Sequence, residues 1–217
     1  EMILHVYEAA KKSNAGEVYV ATPDKAIFEL VSNYGGKAVL SSETHNTGTD
    51  RIFEVFKNTL KSLPNIIVNL QGDMPNIEPK IIKNLINYMQ QGKCEVGTLA
   101  SEIKNNFELE DENIVKVLVK EKLKEGIFSE ALDFLRVNPG QNHKTYHHVG
   151  IYAFTSIALT KYVSLKRSKL ELNRKLEQLR AMENGMSIHV GYINSSPLSV
   201  DTEKDLFRIK KLMEKNE

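Results

Sequence analysis

Gln71-Gly72-Asp73 follows directly on Asn65-Ile66-Ile67-Val68-Asn69-Leu70, the most apolar strand-like run in the chain. In an open parallel sheet, ligands bind outside the carboxyl ends of the strands, so this placement gives the Asp73 carboxylate a chemical use. The glycine lets the backbone approach a ligand closely, and the carboxylate offers the hard oxygen that suits magnesium. A plain polar turn competes on equal terms if spacing alone is weighed. Asp201 stands between a strand ending near Ile193 and the last helix. It can cap that helix through its side chain. It is also a plausible partner for Asp73, because transfer from a triphosphate generally needs more than one carboxylate to hold its cations.

Two further groups carry polar chemistry. His45-Asn46-Thr47-Gly48-Thr49-Asp50-Arg51 sets small donors, a glycine and a fixed cation at a strand-to-helix junction, which suits phosphate or ribose contacts. Thr47 or Thr49 serves equally well as an N-cap there. Glu177-Gln178-Leu179-Arg180 lies on an amphipathic stretch, where charged residues usually form a solvated face.

The elements that must position these residues alternate. A helix opens the chain at Glu1 to Ala10, and the sequence then reads as strand Glu17–Thr22, helix from Pro23-Asp24 to about Asn33, and strand Lys37–Leu40. A helix through about Leu60, the strand ending at Leu70, a helix from about Pro79 to Gln91 and the strand Glu95–Ala100 follow. Such alternation predicts βαβ units and a doubly wound, mostly parallel α/β sheet. From about residue 113 the pattern changes: Ile114–Val119 and His148–Phe154 alternate like half-exposed strands. They predict a small antiparallel extension or a dimer-forming arm. Val137 to Tyr146, with Pro139-Gly140, reads as a loop. Ser168 to Asn184 reads as one long amphipathic helix, Ser187–Ile193 as a strand, and Asp201-Thr202 as the start of a terminal helix.

Composition narrows the function classes. The 217 residues carry 29 Lys and Arg against 28 Asp and Glu, which leaves no single-sign field for a nucleic-acid polymer. No apolar run reaches the roughly 20 residues that cross a bilayer, and the lone Cys94 cannot form an internal disulfide, so a cytoplasmic protein without membrane insertion is expected. A domain seldom begins on a helix such as Met2-Ile3-Leu4-His5-Val6, which leads to the expectation of a segment preceding Glu1.

In order along the chain, these motifs resemble those of the 3-deoxy-manno-octulosonate (Kdo) cytidylyltransferases, or CMP-Kdo synthetases, which activate Kdo for lipopolysaccharide. The stretches are Met2–Val6, Val20-Ala21-Thr22, His45–Arg51, Val68–Pro75, Val115-Lys116-Val117, His148–Tyr152, Leu176–Arg180 and Val200-Asp201-Thr202. The resemblance implies a single nucleotidyltransferase domain of the nucleotide-diphospho-sugar transferase type, with residues 1–112 on the nucleotide side and 113–217 on the sugar and dimer side. It further implies that the anomeric hydroxyl of Kdo attacks the α-phosphorus of CTP. Asp73 and Asp201 would hold Mg2+ and carry catalysis, while Arg51, Gln71 and Gly72 would contact CTP. Arg136, His148, Tyr152, Glu177 and Gln178 would surround Kdo, with Arg136 facing its carboxylate, and the protein would be a homodimer.

The chain departs from the family pattern in places. The family's opening strand and basic, glycine-containing triphosphate loop are not among these residues. Phe134-Leu135-Arg136 replaces the usual Phe-Ser-Arg, Arg174 stands where an acidic residue is usual, and Glu203 replaces a proline. Aligning Phe128-Ser129-Glu130 instead would set a carboxylate against a carboxylate substrate, which electrostatics oppose. Competing readings are a cytidylyltransferase for another acidic sugar such as sialic acid, and a catalytically inactive nucleotide-binding scaffold. A dehydrogenase is disfavoured because no Gly-Xaa-Gly-Xaa-Xaa-Gly follows a strand in these residues.

Overall fold

A computed structural model describes residues 1–42, 44–60, 63–140 and 144–214. In chain order the elements are α1 (Met2–Lys12), β1 (Val20–Thr22), α2 (Lys25–Asn33), β2 (Ala38–Leu40), α3 (Gly48–Thr59), β3 (Ile66–Leu70) and α4 (Pro79–Met89). Then come β4 (Val96–Ser101), α5 (Asn106–Glu110), β5 (Lys116–Val119), β6 (Phe128–Leu135), β7 (Thr145–Thr155) and α6 (Ser156–Ser164). The chain finishes with α7 (Lys169–Arg174), α8 (Leu179–Glu183), β8 (Ile188–Tyr192) and α9 (Glu203–Glu214). No helix among the described residues is long and apolar enough to cross a membrane.

The contacts divide the chain into two compact units, each discontinuous in sequence. The first holds residues 1–61, 71–83 and 197–217. The second holds residues 62–70 and 84–196.

In the first unit, β1 and β2 pair in parallel, Val20 opposite Ala38. Buried Tyr7, Val20 and Val31 form its core with Ile3, Leu4, Val18, Ile27 and Ala38 packed around them. Asp24 caps α2, accepting from the Ala26 amide at 2.7 Å. Thr47 caps α3, accepting from the Asp50 amide at 3.2 Å. Both caps satisfy amides that the first helical turn would otherwise leave without partners.

The second unit is built on a six-stranded mixed sheet, ordered β3-β7-β4-β8-β6-β5. The α/β class expected from the sequence holds. The sheet is mixed rather than mostly parallel in its pairings: among the described residues only β4 and β8 pair in parallel within it, and its other pairings are antiparallel. β7 also pairs with β5, so that β7, β4, β8, β6 and β5 close a ring. Every residue of β4 is buried, and fully covering each large aliphatic side chain contributes about 1.5–3 kcal/mol.

Three expectations about the strands change here. The strand containing His148–Phe154 is not peripheral; as part of the eleven-residue β7 it runs between β3 and β4, antiparallel to both. β3, expected to be central and parallel, stands at one end of this sheet and pairs antiparallel with β7. A short apolar run does not distinguish the two, and β3 is half-buried at every residue except Asn69, which is buried. β5 is buried at all four residues rather than half exposed. Its Lys116 donates to the carbonyls of Asp111 at 2.6 Å and Arg136 at 2.7 Å, which is how an ammonium can be tolerated inside.

The single helix expected over Ser168 to Asn184 is two short ones. A capping box between Ser168 and Glu171 starts α7, Lys175 turns left-handed at φ 54°, and α8 begins after Gln178. The expected loop from Val137 is seen as far as Gly140; residues 141–143 lie outside the described residues, and β7 begins at Thr145.

Candidate active site

The first unit brings Asp73 and Asp201 together. The Ser199 hydroxyl oxygen lies 2.9 Å from Asp73 Oδ2 and 3.2 Å from Asp201 Oδ2, so one hydroxyl links both carboxylates. Having one proton, it donates to one at a time. Two more contacts pin the segments on either side: the Val200 amide donates to the Asp73 carbonyl at 3.0 Å, and the Leu198 amide to Asn76 Oδ1 at 2.9 Å. Ser199 escaped the reading of the sequence. Its only signal there was its position two residues before Asp201.

Asp201 does not cap α9. Thr202 does, accepting from the Asp205 amide at 3.2 Å while its own hydroxyl donates to Asp205 Oδ2 at 2.7 Å. The Asp201 carboxylate is thereby left to the linkage through Ser199. Asp73 Oδ1 is buried with no hydrogen-bond partner among the described residues, an arrangement that costs free energy unless a cation or donor answers it. No group of three or more potential metal ligands occurs among the described residues. Magnesium is commonly held by one or two carboxylates, with substrate phosphates and water completing its shell, so this pair fits that ion.

Gly72 packs close to α1: a Cβ there would stand 3.1 Å from Ile3 Cδ1. Its lack of a side chain is thus used inside this unit. Arg51, on α3, donates to Ser41 Oγ at 2.6 Å and to the Ser42 carbonyl at 3.1 Å, holding the polar loop before the helix. His45 hydrogen-bonds Glu54 through Nε2, and Glu54 also accepts from the Ser42 amide at 3.1 Å. The His45 hydrogen bond, followed by the Ser42 one, holds the Glu54 pKa below its ordinary value. Gln71 is half-buried in the same unit.

The second unit carries Arg136, His148, Tyr152, Glu177 and Gln178. His148 is buried on β7, its ring 5.5 Å from that of Tyr152 and edge-on to Phe134 at 5.0 Å. Burial, reinforced by the charge of neighbouring His147, lowers its pKa to about 3, so the ring is neutral at ordinary pH. Thr98 Oγ1 lies 2.8 Å from the Ile151 carbonyl, to which it donates, and 2.9 Å from His148 Nε2. The hydroxyl must then accept from Nε2–H, which leaves Nδ1 as the acceptor of the ring. Thr98 is a second residue that sequence reasoning missed.

Tyr152 is held well above its ordinary pKa by burial and then by the Glu177 charge, which draws Glu177 into the same group. Glu177 and Gln178 sit in the bend between α7 and α8, not on a solvated helix face. Gln178 is buried. Arg136 follows β6 directly; its guanidinium donates to the Glu112 carbonyl at 3.1 Å, and its own carbonyl is held by Lys116. Arg174, the departure from family pattern, pairs with Asp133 at 2.7 Å and donates to the Phe134 carbonyl at 3.0 Å. Glu130, in the competing alignment, is exposed and lies 3.4 Å from Lys120.

Residues 1–188 match the family model described as Cytidylyltransferase. The 3-deoxy-manno-octulosonate cytidylyltransferase of Bartonella tribocorum is 38% identical over 214 residues, covering 98% of this chain and 87% of the relative. That of Paramagnetospirillum magneticum is 37% identical with the same coverage. Among solved structures, CMP:2-keto-3-deoxy-manno-octonic acid synthetase complexed with CTP is similar at a TM-score of 0.89 and 33% identity, covering 100% of this chain and 88% of that one. The 4-diphosphocytidyl-2C-methyl-D-erythritol synthase of Anaerococcus prevotii, at 14% identity and a TM-score of 0.64, shares the fold.

Proposed function

This chain belongs to the 3-deoxy-manno-octulosonate cytidylyltransferase family, and we infer from that premise that it transfers CMP from CTP to the anomeric hydroxyl of Kdo, releasing pyrophosphate. The observation that carries the chemistry is the linkage of Asp73 and Asp201 through Ser199, with Thr202 taking the capping role that Asp201 would otherwise fill. In this reading Asp73 and Asp201 hold Mg2+. When bound, that ion supplies a Lewis acid that favours ionisation of an attacking hydroxyl and neutralises charge on a departing pyrophosphate.

The protein's own residues bind and orient. Arg51, Gln71 and Gly72 serve the nucleotide. Arg136 presents the cation that a sugar carboxylate requires, and the Lys116 bond to the Arg136 carbonyl, with the guanidinium's own bond to the Glu112 carbonyl, fixes the end of β6. His148 stays neutral and offers Nδ1 to a sugar hydroxyl, with Tyr152, Glu177 and Gln178 as the remaining polar partners. The product would supply lipopolysaccharide synthesis, and a need for CTP supports a cytoplasmic enzyme. Membership of the family supports a homodimer, to be checked by light scattering during gel filtration.

Pyrophosphate release from CTP and Mg2+, measured with Kdo and with sialic acid, tests the assignment. Release with Kdo alone is expected, and release with sialic acid but not Kdo overturns the choice of sugar. Asp73→Asn and Asp201→Asn should each abolish turnover while leaving the circular dichroism spectrum intact. A near-wild-type rate in either removes that residue from the metal site.

A further inference from the structure

We propose that the buried Glu171–Arg180 ion pair, acting through Tyr162, positions the Glu177–Gln178 bend and so sets the enzyme's requirement for the sugar acid. This rests on Glu177 and Gln178 belonging to the Kdo side. Glu171 and Arg180 are 1% and 2% exposed. Removing two charges from water costs several kcal/mol per ion, and apolar residues of similar volume are often equally stabilising, so fold stability is a weak reason for such a pair.

Its geometry points instead to the bend. Arg180 grips Glu171 through two parallel bonds, Nε to Oε2 at 2.9 Å and Nη2 to Oε1 at 2.7 Å. Arg167 Nε adds a bond to Oε1 at 2.9 Å, and the Ser168 amide one to Oε2 at 3.1 Å. Burial works to raise the Glu171 pKa, but the hydrogen bonds from Arg180 and Arg167 outweigh it and hold the carboxylate ionised. The pair thus ties α7 to α8 across the left-handed Lys175, which a continuous helix would not require.

The connection then runs to the site. The Arg180 guanidinium lies 4.6 Å over the Tyr162 ring, an attractive cation–π arrangement. The Tyr162 hydroxyl donates to the Glu177 carbonyl at 2.9 Å, the same oxygen that accepts from the Arg180 amide at 3.1 Å. The Glu177 backbone is therefore fixed from two sides. Glu171, Arg180 and Tyr162 are positioning residues in this scheme; none of them has to touch substrate.

Tyr162→Phe removes the hydroxyl and keeps the ring beneath Arg180, which makes it the mild test. The KM for Kdo should rise about fivefold to tenfold, the loss of one ordinary hydrogen bond. The KM for CTP should stay near wild type, and the melting temperature should fall by no more than about 2–4 °C. Arg180→Lys keeps the charge but loses the bidentate grip, and should raise the Kdo KM further, again without moving that for CTP. Glu177→Gln, run beside them, tests the underlying reading. If it leaves the Kdo KM unchanged, Glu177 is not on the Kdo side and the inference falls with that reading. If Glu177→Gln raises the Kdo KM while Tyr162→Phe does not, or if Tyr162→Phe raises both KM values equally, the positioning scheme alone is overturned.

Discussion

Ser199→Ala isolates the linkage between the two carboxylates, because it deletes one oxygen from an exposed residue and disturbs no core. A hydrogen bond to a charged acceptor contributes about 1.5–3 kcal/mol, and solvent exposure places this one at the lower end. The two distances share a single proton, so the contribution counts once. About 1.5 kcal/mol corresponds to roughly a tenfold change in an equilibrium constant. Without the hydroxyl, repulsion lets the carboxylates turn apart, and the metal must gather them itself. The concentration of Mg2+ giving half-maximal pyrophosphate release, at saturating CTP and Kdo, should therefore rise about tenfold, the lower end for outer-shell partners of metal ligands. The rate at saturating Mg2+ should remain within about twofold of wild type, and Ser199→Thr, which keeps a hydroxyl, should restore most of the affinity. An unchanged Mg2+ midpoint, or a collapse of the rate at every Mg2+ concentration, would refute the reasoning.

The neutral burial of His148 predicts a pH dependence of stability. Its pKa is lowered to about 3 in the fold, whereas an unfolded imidazole titrates near 6.5. Between those values only the unfolded chain takes the proton, so stability falls as pH drops through that window, by about 1.4 kcal/mol per unit. Urea denaturation at pH 7 and pH 5 should show a shallower loss for His148→Gln than for wild type; equal losses would mean that the ring is not held neutral. Lys116→Met should cost about 2 kcal/mol or more, since it strands the Asp111 and Arg136 carbonyls that the ammonium now serves. It should also raise the Kdo KM by loosening Arg136. Chemical denaturation and steady-state kinetics check the two effects, and a variant as stable as wild type would contradict the buried-donor account.

Local chemistry was legible in the sequence. Asp24 before α2 and Ser168 before α7 could be read as helix starts because a cap and its amides lie within a few residues of one another. The ordered motifs around Asp73, His148 and Glu177 pointed to a cytidylyltransferase for the same reason: each is contiguous. What joins those motifs was not legible. Nothing near Asp73 announces that Ser199 will stand beside it, and no alternation of apolar residues shows that β7 enters between β3 and β4. A helical period across Ser168 to Asn184 likewise could not reveal the left-handed turn at Lys175, where the Glu171–Arg180 pair closes the bend. Hydrogen bonding and capping act over a few residues and leave a mark in neighbouring letters. Strand order, the meeting of two distant carboxylates and the burial of an ion pair are decided by which segments pack together, so only the tertiary structure holds them.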